Sequence, residues 1–376
     1  MNFDPSEEQR LFAASIERFV ARDYTFDIRR RIVASRDGYS RDVWAAFAEL
    51  GLLGVAIPGE YGGLGGGAVD LTSVMEAIGE ALIVEPFLAT AMGARFVARA
   101  GTPEQKNGLL PEVAEGKLTM AFAHSERGAR YDLAHVATRA RKTDAGFAID
   151  GDKRVVVHGP CARLLVVSAR INGDDTDSQG IGLFLVNTEA PGVSLASSRT
   201  LDELRSADIS FDDVRVAADA QLGETADALL MIEEIVDYAT ALVCCEAVGA
   251  IRFANGATLD YLKTRTQFGV PIGSFQALQH RMVDMVIEYE QAKSMASLAC
   301  AAIEGETDPV RRKRIVSAAK VRVADACRHV SQESIQLHGG MGMSDELKIS
   351  HTFRRLTMIA QQFGGADHHL ERFASL

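Results

Sequence analysis

The sequence predicts an α+β multidomain chain, with a helical block over residues 1–119, an antiparallel β-domain over 120–223 and a helical bundle over 224–376. Three observations carry this. Apolar residues fall at helical spacing in LFAASIERFV, DVWAAFAELGLLGVAI and LTSVMEAIGEALI before about Glu126. From Met120 to Leu222 the pattern shortens to runs rich in Val, Ile and Leu about ten residues apart, and after Gly223 the helical period returns to the C-terminus.

In the first block, glycine punctuation such as GEYGGLGGG separates the helical stretches. Ser6 followed by Gln9 resembles a capping box and places the first helix start there. Trp44 shares helical spacing with Phe47 and Leu50, which marks core. The middle block offers GFAID, KRVVVHG, ARLLVVSARI, GIGLFLVNT and ADISFDDVRV as strands, with Asp150-Gly151 as a hairpin signal between the first two. The polar, glycine-bearing INGDDTDSQG reads as a disordered surface loop. In the last block, IVDYATALVCCEAVGAI carries only Asp237 and Glu246 as charges. A helix apolar on every face must be covered on every face, and part of that cover is expected from another subunit.

Composition limits the function. Hydrophobic residues make up 47% and charged residues 24%, which fits a globular enzyme and gives no support to disorder, collagen or coiled coil. Forty Lys and Arg against 51 Asp and Glu leave a net charge of −11, which gives no footprint for nucleic acid or anionic lipid. No uncharged run reaches the roughly 20 residues of a membrane span, and MNFDPSEEQR holds no apolar leader segment, so a cytoplasmic protein is expected. Cysteines 161, 244, 245, 300 and 327 form no metal-ligand spacing and read as buried thiols. Arg29-Arg30-Arg31 and Arg311-Arg312-Lys313-Arg314 read as solvated faces, and His368-His369 as a surface or packing feature rather than a metal site.

Three segments carry more. YLKTRTQFGVPIGSFQALQHRMVDM (Tyr261–Met285), QLHGGMGM (Gln336–Met343) and LGLLGVAIPGEYGGLG (Leu50–Gly65) resemble signatures of the acyl-CoA dehydrogenase family. The likeness covers essentially the whole chain and is strongest to the small subunit of two-component members such as pimeloyl-CoA dehydrogenase. It implies FAD at a subunit interface, an acyl-CoA thioester stacked on the flavin, and a carboxylate that takes the α-proton as the β-hydrogen leaves as hydride. It also implies an electron-transferring flavoprotein as redox partner. Arg265 would pair with the FAD pyrophosphate of a neighbouring subunit, with Gln267, Phe268 and Gln276 touching the rest of the cofactor. Gln336, Gly339 and Gly340 would let backbone approach a phosphate.

Phe122 and Ser125 of FAHSE occupy the place of the family's flavin-ring contacts. Val155 and Val157 stand where the family often has Trp and Thr, and Tyr131 stands where it has a serine near the substrate. The base departs furthest: of its two family positions, one holds Phe363 and the other Ala239. Glu246 shares a helix face with Ala239 about 10 Å along the axis, Asp367 lies four residues past Phe363, and Asp237, about 200° round the helix from Ala239, reads as a buried paired carboxylate. The reading that results is a subunit without its own base that completes the FAD site of a catalytic homologue, in a heterotetramer of two such chains with two catalytic ones. A self-sufficient dehydrogenase with a base at an unfamiliar position, and a cofactor-free scaffold, are the alternatives.

Overall fold

A computed structural model describes residues 7–223 and 227–376; Ser6, with its expected capping box, lies outside them. The helices are α1 (Glu7–Asp23), α2 (Phe26–Ala34), α3 (Arg41–Glu49), α4 (Thr72–Ala81), α5 (Phe87–Ala100), α6 (Pro103–Ala114), α7 (Leu229–Thr264), α8 (Gln276–Gly305), α9 (Pro309–His338), α10 (Lys348–Gln361) and α11 (Ala366–Ser375). The strands are β1 (Met120–Ala123), β2 (Arg139–Thr143), β3 (Gly146–Val157), β4 (Leu164–Arg170), β5 (Ile181–Asn187), β6 (Val193–Arg199), β7 (Arg205–Ala217), β8 (Gln221–Leu222), β9 (Thr266–Gln267) and β10 (Val270–Pro271). Two compact units result: one takes the chain up to Arg30, Ala68–Ile83 and Asp237–Leu376, the other Arg31–Gly67 and Val84–Val236.

The second unit holds a sheet of order β6-β7-β3-β2-β4-β5-β8, antiparallel except where β1 and β2 meet β4 in parallel. Apolar side chains from its strands, among them Ile149, Leu165, Val167, Phe184 and Ile209, form one core. Asp150-Gly151 makes no hairpin: Gly146–Val157 is a single strand, and Gly151, at φ 142°, sits in a register shift between Ile149 and Gly151 against β7. The same positive-φ freedom that favours a turn glycine also serves a bulge. Nor is the polar loop after β4 disordered. The guanidinium of buried Arg170 donates to the carbonyls of Ala134, Val136, Asp175, Asp177 and Gln179, fixing the loop from within.

In the first unit, α7 crosses α4 where two glycines meet. A Cβ on Gly249 would stand 1.8 Å from the Glu76 carbonyl oxygen, and one on Gly79 1.8 Å from that of Glu246. Every α7 residue from Asp237 to Ile251 is buried within this single chain, so the cover expected from another subunit is supplied by the chain itself. Cys244, Cys245, Cys300 and Cys327 are buried free thiols here, and Cys161 is another in the second unit. Arg29 corrects the expected solvated face: it is buried, donating to the Leu82 carbonyl at 2.7 Å and to His351 Nδ1 at 3.1 Å, while Arg30 and Arg31 are exposed.

Candidate functional site

At the C-terminal end of α7 the chain turns into the β9–β10 hairpin. Gln267 pairs with Val270 across a two-residue turn in which Phe268 and Gly269 have φ of 54° and 82°. Glycine takes that conformation freely, whereas a phenylalanine pays for it in strain. Phe268 is nevertheless left-handed and 91% exposed, so packing within the chain does not account for it. The guanidinium of exposed Arg265 and the amide of exposed Gln276 have no hydrogen-bond partner among the described residues. Gln267 is exposed too, its amide turned back onto the Thr266 carbonyl.

The end of α9 lies against the same surface. His338 stacks on Tyr261 with ring centroids 4.5 Å apart, which ties the turn before Arg265 to the turn after Gln336. Gln336 is exposed and its amide has no partner among the described residues. Gly339 adopts φ 58° and ψ −143°, a combination essentially restricted to glycine. Nothing lies within 4 Å of where a Cβ would stand on Gly339 or Gly340, so both peptides are open to close approach. A free guanidinium, two free amides and bare backbone suit the phosphates and polar arms of a dinucleotide. This part of the chain therefore fits FAD.

In the β-domain, Phe122 is half-buried against Phe96 at 4.6 Å, and Ser125 is exposed with its carbonyl accepting from the Arg154 N–H at 2.7 Å. That bond brings Ser125 beside Val155, which is 58% exposed with φ 49°; Val157 is half-buried and Tyr131 exposed. Neither valine offers a hydroxyl or an aromatic edge to a ring, so this face is poorer in polar contacts than the α7–α9 surface.

Behind it lies a polar cluster that the sequence reading missed. Lys153, with no exposed surface, donates to Glu126 Oε1 at 2.7 Å, Ser168 Oγ at 3.0 Å and the His124 carbonyl at 3.3 Å. Glu126 also accepts from the Ala137 and Thr138 N–H groups at 2.6 and 3.0 Å. Burial pushes Lys153 down to about 8 against the pull of Glu126, and pushes His124, with Lys153 adding to it, down to about 3. FAHSE and KRVVVHG contain both ends of the ion pair, but only the strand pairing shows that they meet.

The two base positions hold no proton acceptor. Ala239 is fully buried, and Phe363, half-buried at φ 60°, presents its carbonyl to His369 Nε2 at 3.0 Å. Glu246 is clamped by Arg355, whose Nε and Nη2 donate to Oε1 and Oε2 at 2.6 and 2.8 Å, both side chains being buried. Asp237 accepts from Arg372 at 2.7 Å, and burial pushes its carboxyl up against that pairing. Asp367 is exposed in the first turn of α11. His369 is a packing residue, bonded to Ser317 and the Phe363 carbonyl.

The chain matches the acyl-CoA dehydrogenase N-terminal domain family over residues 6–117, the middle domain family over 121–214 and the C-terminal domain family over 230–373. The acyl-CoA dehydrogenase FadE12 of Mycobacterium tuberculosis is 32% identical over 369 residues, 96% of this chain and 93% of that protein. The probable acyl-CoA dehydrogenase YngJ of Bacillus subtilis is 28% identical over 94% of this chain and 93% of its own length. Among solved structures, a variant of the Tcur3481-Tcur3483 steroid ACAD superposes with a TM-score of 0.87 at 31% identity, covering 98% of this chain and 97% of that one. The acyl-CoA dehydrogenase of Geobacillus kaustophilus gives 0.91 at 25% identity over 99% and 98%. With the helical, β and helical order in place and FAD as its cofactor, the chain belongs to the acyl-CoA dehydrogenase family.

Proposed function

We propose that this chain is a subunit of an FAD-dependent acyl-CoA dehydrogenase that lacks a base of its own and completes the FAD site of a catalytic homologue. The observation that carries the reading is the pair Ala239 and Phe363, together with the engagement of the buried carboxylates around them: Glu246 on Arg355 and Asp237 on Arg372. An α-proton next to a thioester is far less acidic than a carboxylic acid. Its removal needs a free carboxylate of raised pKa at the carbon and hydrogen bonds at the enolate oxygen. Both oxygens of Glu246 are occupied by the Arg355 guanidinium and one of Asp237 by Arg372, so neither carboxylate is free to meet a substrate carbon.

FAD supplies a hydride acceptor when bound. The chain's own contribution would be positional: Arg265 would hold the pyrophosphate, Gln336 and the bare peptides at Gly339 and Gly340 would meet the cofactor's polar arms, and Gln267, Phe268 and Gln276 would border them. The neighbouring chain would be a catalytic homologue in a heterotetramer of two chains of each kind, with an electron-transferring flavoprotein taking the electrons. The likeness to a steroid ACAD with a paired designation supports a heteromeric assembly and, among acyl-CoA thioesters, those with sterol side chains.

Anaerobic mixing with a panel of straight-chain, dicarboxylyl, branched and sterol side-chain acyl-CoAs tests this. The isolated chain, loaded with FAD, should leave the flavin absorbance unbleached, while the chain co-expressed with a homologous partner should bleach. Rapid bleaching by the isolated chain would overturn the reading.

A further inference from the structure

We infer that Cys245 and Cys300 form an oxidisable thiol pair, which hydrogen peroxide converts to a buried disulfide locking α7 to α8. The inference goes beyond the proposed function and does not depend on the missing base.

The placement of the two sulfurs carries it. Cys245 lies on α7 and Cys300 near the end of α8, and their Sγ atoms stand 3.4 Å apart with both residues buried. They are 55 positions apart in sequence, and the chain between them passes through the β9–β10 hairpin. A second tie, from the Asn255 amide to the Met285 carbonyl at 3.1 Å, joins the same two helices nearer the hairpin. The helices therefore run antiparallel, with the thiols facing each other across them. Sulfurs in a disulfide are about 2.05 Å apart, so closure asks for an approach of roughly 1.4 Å, within reach of small side-chain rotations and a slight helix shift. The pair is also selective. No other two cysteines are hydrogen-bonded among the described residues; Cys244 is turned about 100° round α7 from Cys245, and the Cys161 thiol meets the Asp37 carbonyl at 3.9 Å.

The chemistry balances with one hydrogen peroxide. One sulfur, as thiolate, attacks a peroxide oxygen; the O–O bond breaks, and the leaving hydroxide takes up the proton that the thiol gave, leaving water and a sulfenic acid. The second sulfur displaces the sulfenic hydroxyl, which leaves as water with the second thiol's proton, and the S–S bond forms. Two thiols lose two electrons and two protons, and the peroxide is reduced to two waters. Enclosure sets the pace. The hydrogen bond with Cys300, burial, and the neighbouring Cys300, Cys244 and Glu76 hold the Cys245 thiol well above its ordinary range, which keeps thiolate scarce. The same enclosure shields the finished disulfide from an attacking thiolate, so the lock is slow to close and slow to open.

The purified chain is treated with hydrogen peroxide, unfolded in the presence of an alkylating reagent and examined by mass spectrometry. Two of its five cysteines should escape alkylation, and the peptides holding Cys245 and Cys300 should stay joined until dithiothreitol separates them. The oxidised chain should unfold at a higher urea concentration than the reduced chain. Dithiothreitol should open the bond about tenfold or more slowly in the folded chain than in urea. Cys245→Ala and Cys300→Ala, with their fold checked by far-UV circular dichroism, should each show no cross-link and no peroxide-induced rise in the urea midpoint. The assignment is overturned by alkylation of all five cysteines after peroxide doses that oxidise the unfolded chain, or by a cross-link between any other two cysteines. Oxidation that stops at a sulfinic acid on either residue, or a cross-linked chain no harder to unfold, would overturn it as well.

Discussion

His124 and His369 are both held neutral by burial and by cations beside them. Lys153 faces the first, with Glu126 opposing it; Lys320, His368 and Arg372 surround the second. In the fold each is pushed down to about 3, against an ordinary value of 6.5. Below pH 6.5 the unfolded chain takes up protons that the folded chain refuses, so the stability these groups contribute is present above 6.5 and is lost as the pH falls towards 3. Between pH 7 and pH 5 the loss should be about 2 kcal/mol for each histidine. Urea melts at the two pH values should show it, and His369→Gln should remove about half of the difference; identical midpoints at pH 7 and 5 would contradict the argument. Arg265 stood out in the sequence through its RTQFG surroundings alone, and the structure leaves its guanidinium exposed and without a partner among the described residues. His124 and Lys153 were not, since burial, tautomer and the bond to Ser168, 44 residues away, exist only after β1 and β4 pair.

Among elements, the α4–α7 crossing has the least room. Alanine is the better helix former by about 1 kcal/mol, yet a methyl at Gly249 would stand 1.8 Å from the Glu76 carbonyl, which cannot swing aside as a side chain can. Gly249→Ala should therefore lower stability by roughly 2 kcal/mol or more, net of the propensity gain, read as a drop in the denaturation midpoint. An unchanged midpoint would mean that the two helices can separate without cost. Helical period revealed that α4 and α7 exist but said nothing of where they cross, because a glycine inside a helix looks the same in sequence whether it meets a neighbour or solvent. Asp150-Gly151 failed as a hairpin for a related reason: the residue reports a backbone angle, and bulge and turn share it.

For the whole molecule, the block order of helices, strands and helices was readable from period alone, whereas the fate of the buried helix was not. Its covering residues come from α4, α8, α10 and α11, represented by Gly79, Cys300, Arg355 and Arg372, and no periodicity states which distant element will supply cover. Arg265, in contrast, is bare in the single chain. If the chain completes the FAD site of a catalytic homologue as proposed, Arg265→Ala in an assembly of the two should weaken FAD retention by about tenfold or more with the fold unchanged. Flavin counted per chain after dialysis measures this, and full occupancy would reduce Arg265 to an ordinary surface residue.

The interior of α7 has a further consequence. A chain that already encloses its apolar α7 segment from Asp237 to Ile251 needs no partner to cover that segment. On the heteromeric reading proposed above, association would then be reversible, and dilution should separate the assembly into folded monomers that can be traded between assemblies. On that reading, the composition found in a cell would follow the relative supply of this chain and its homologue, with neither held hostage to the other's synthesis.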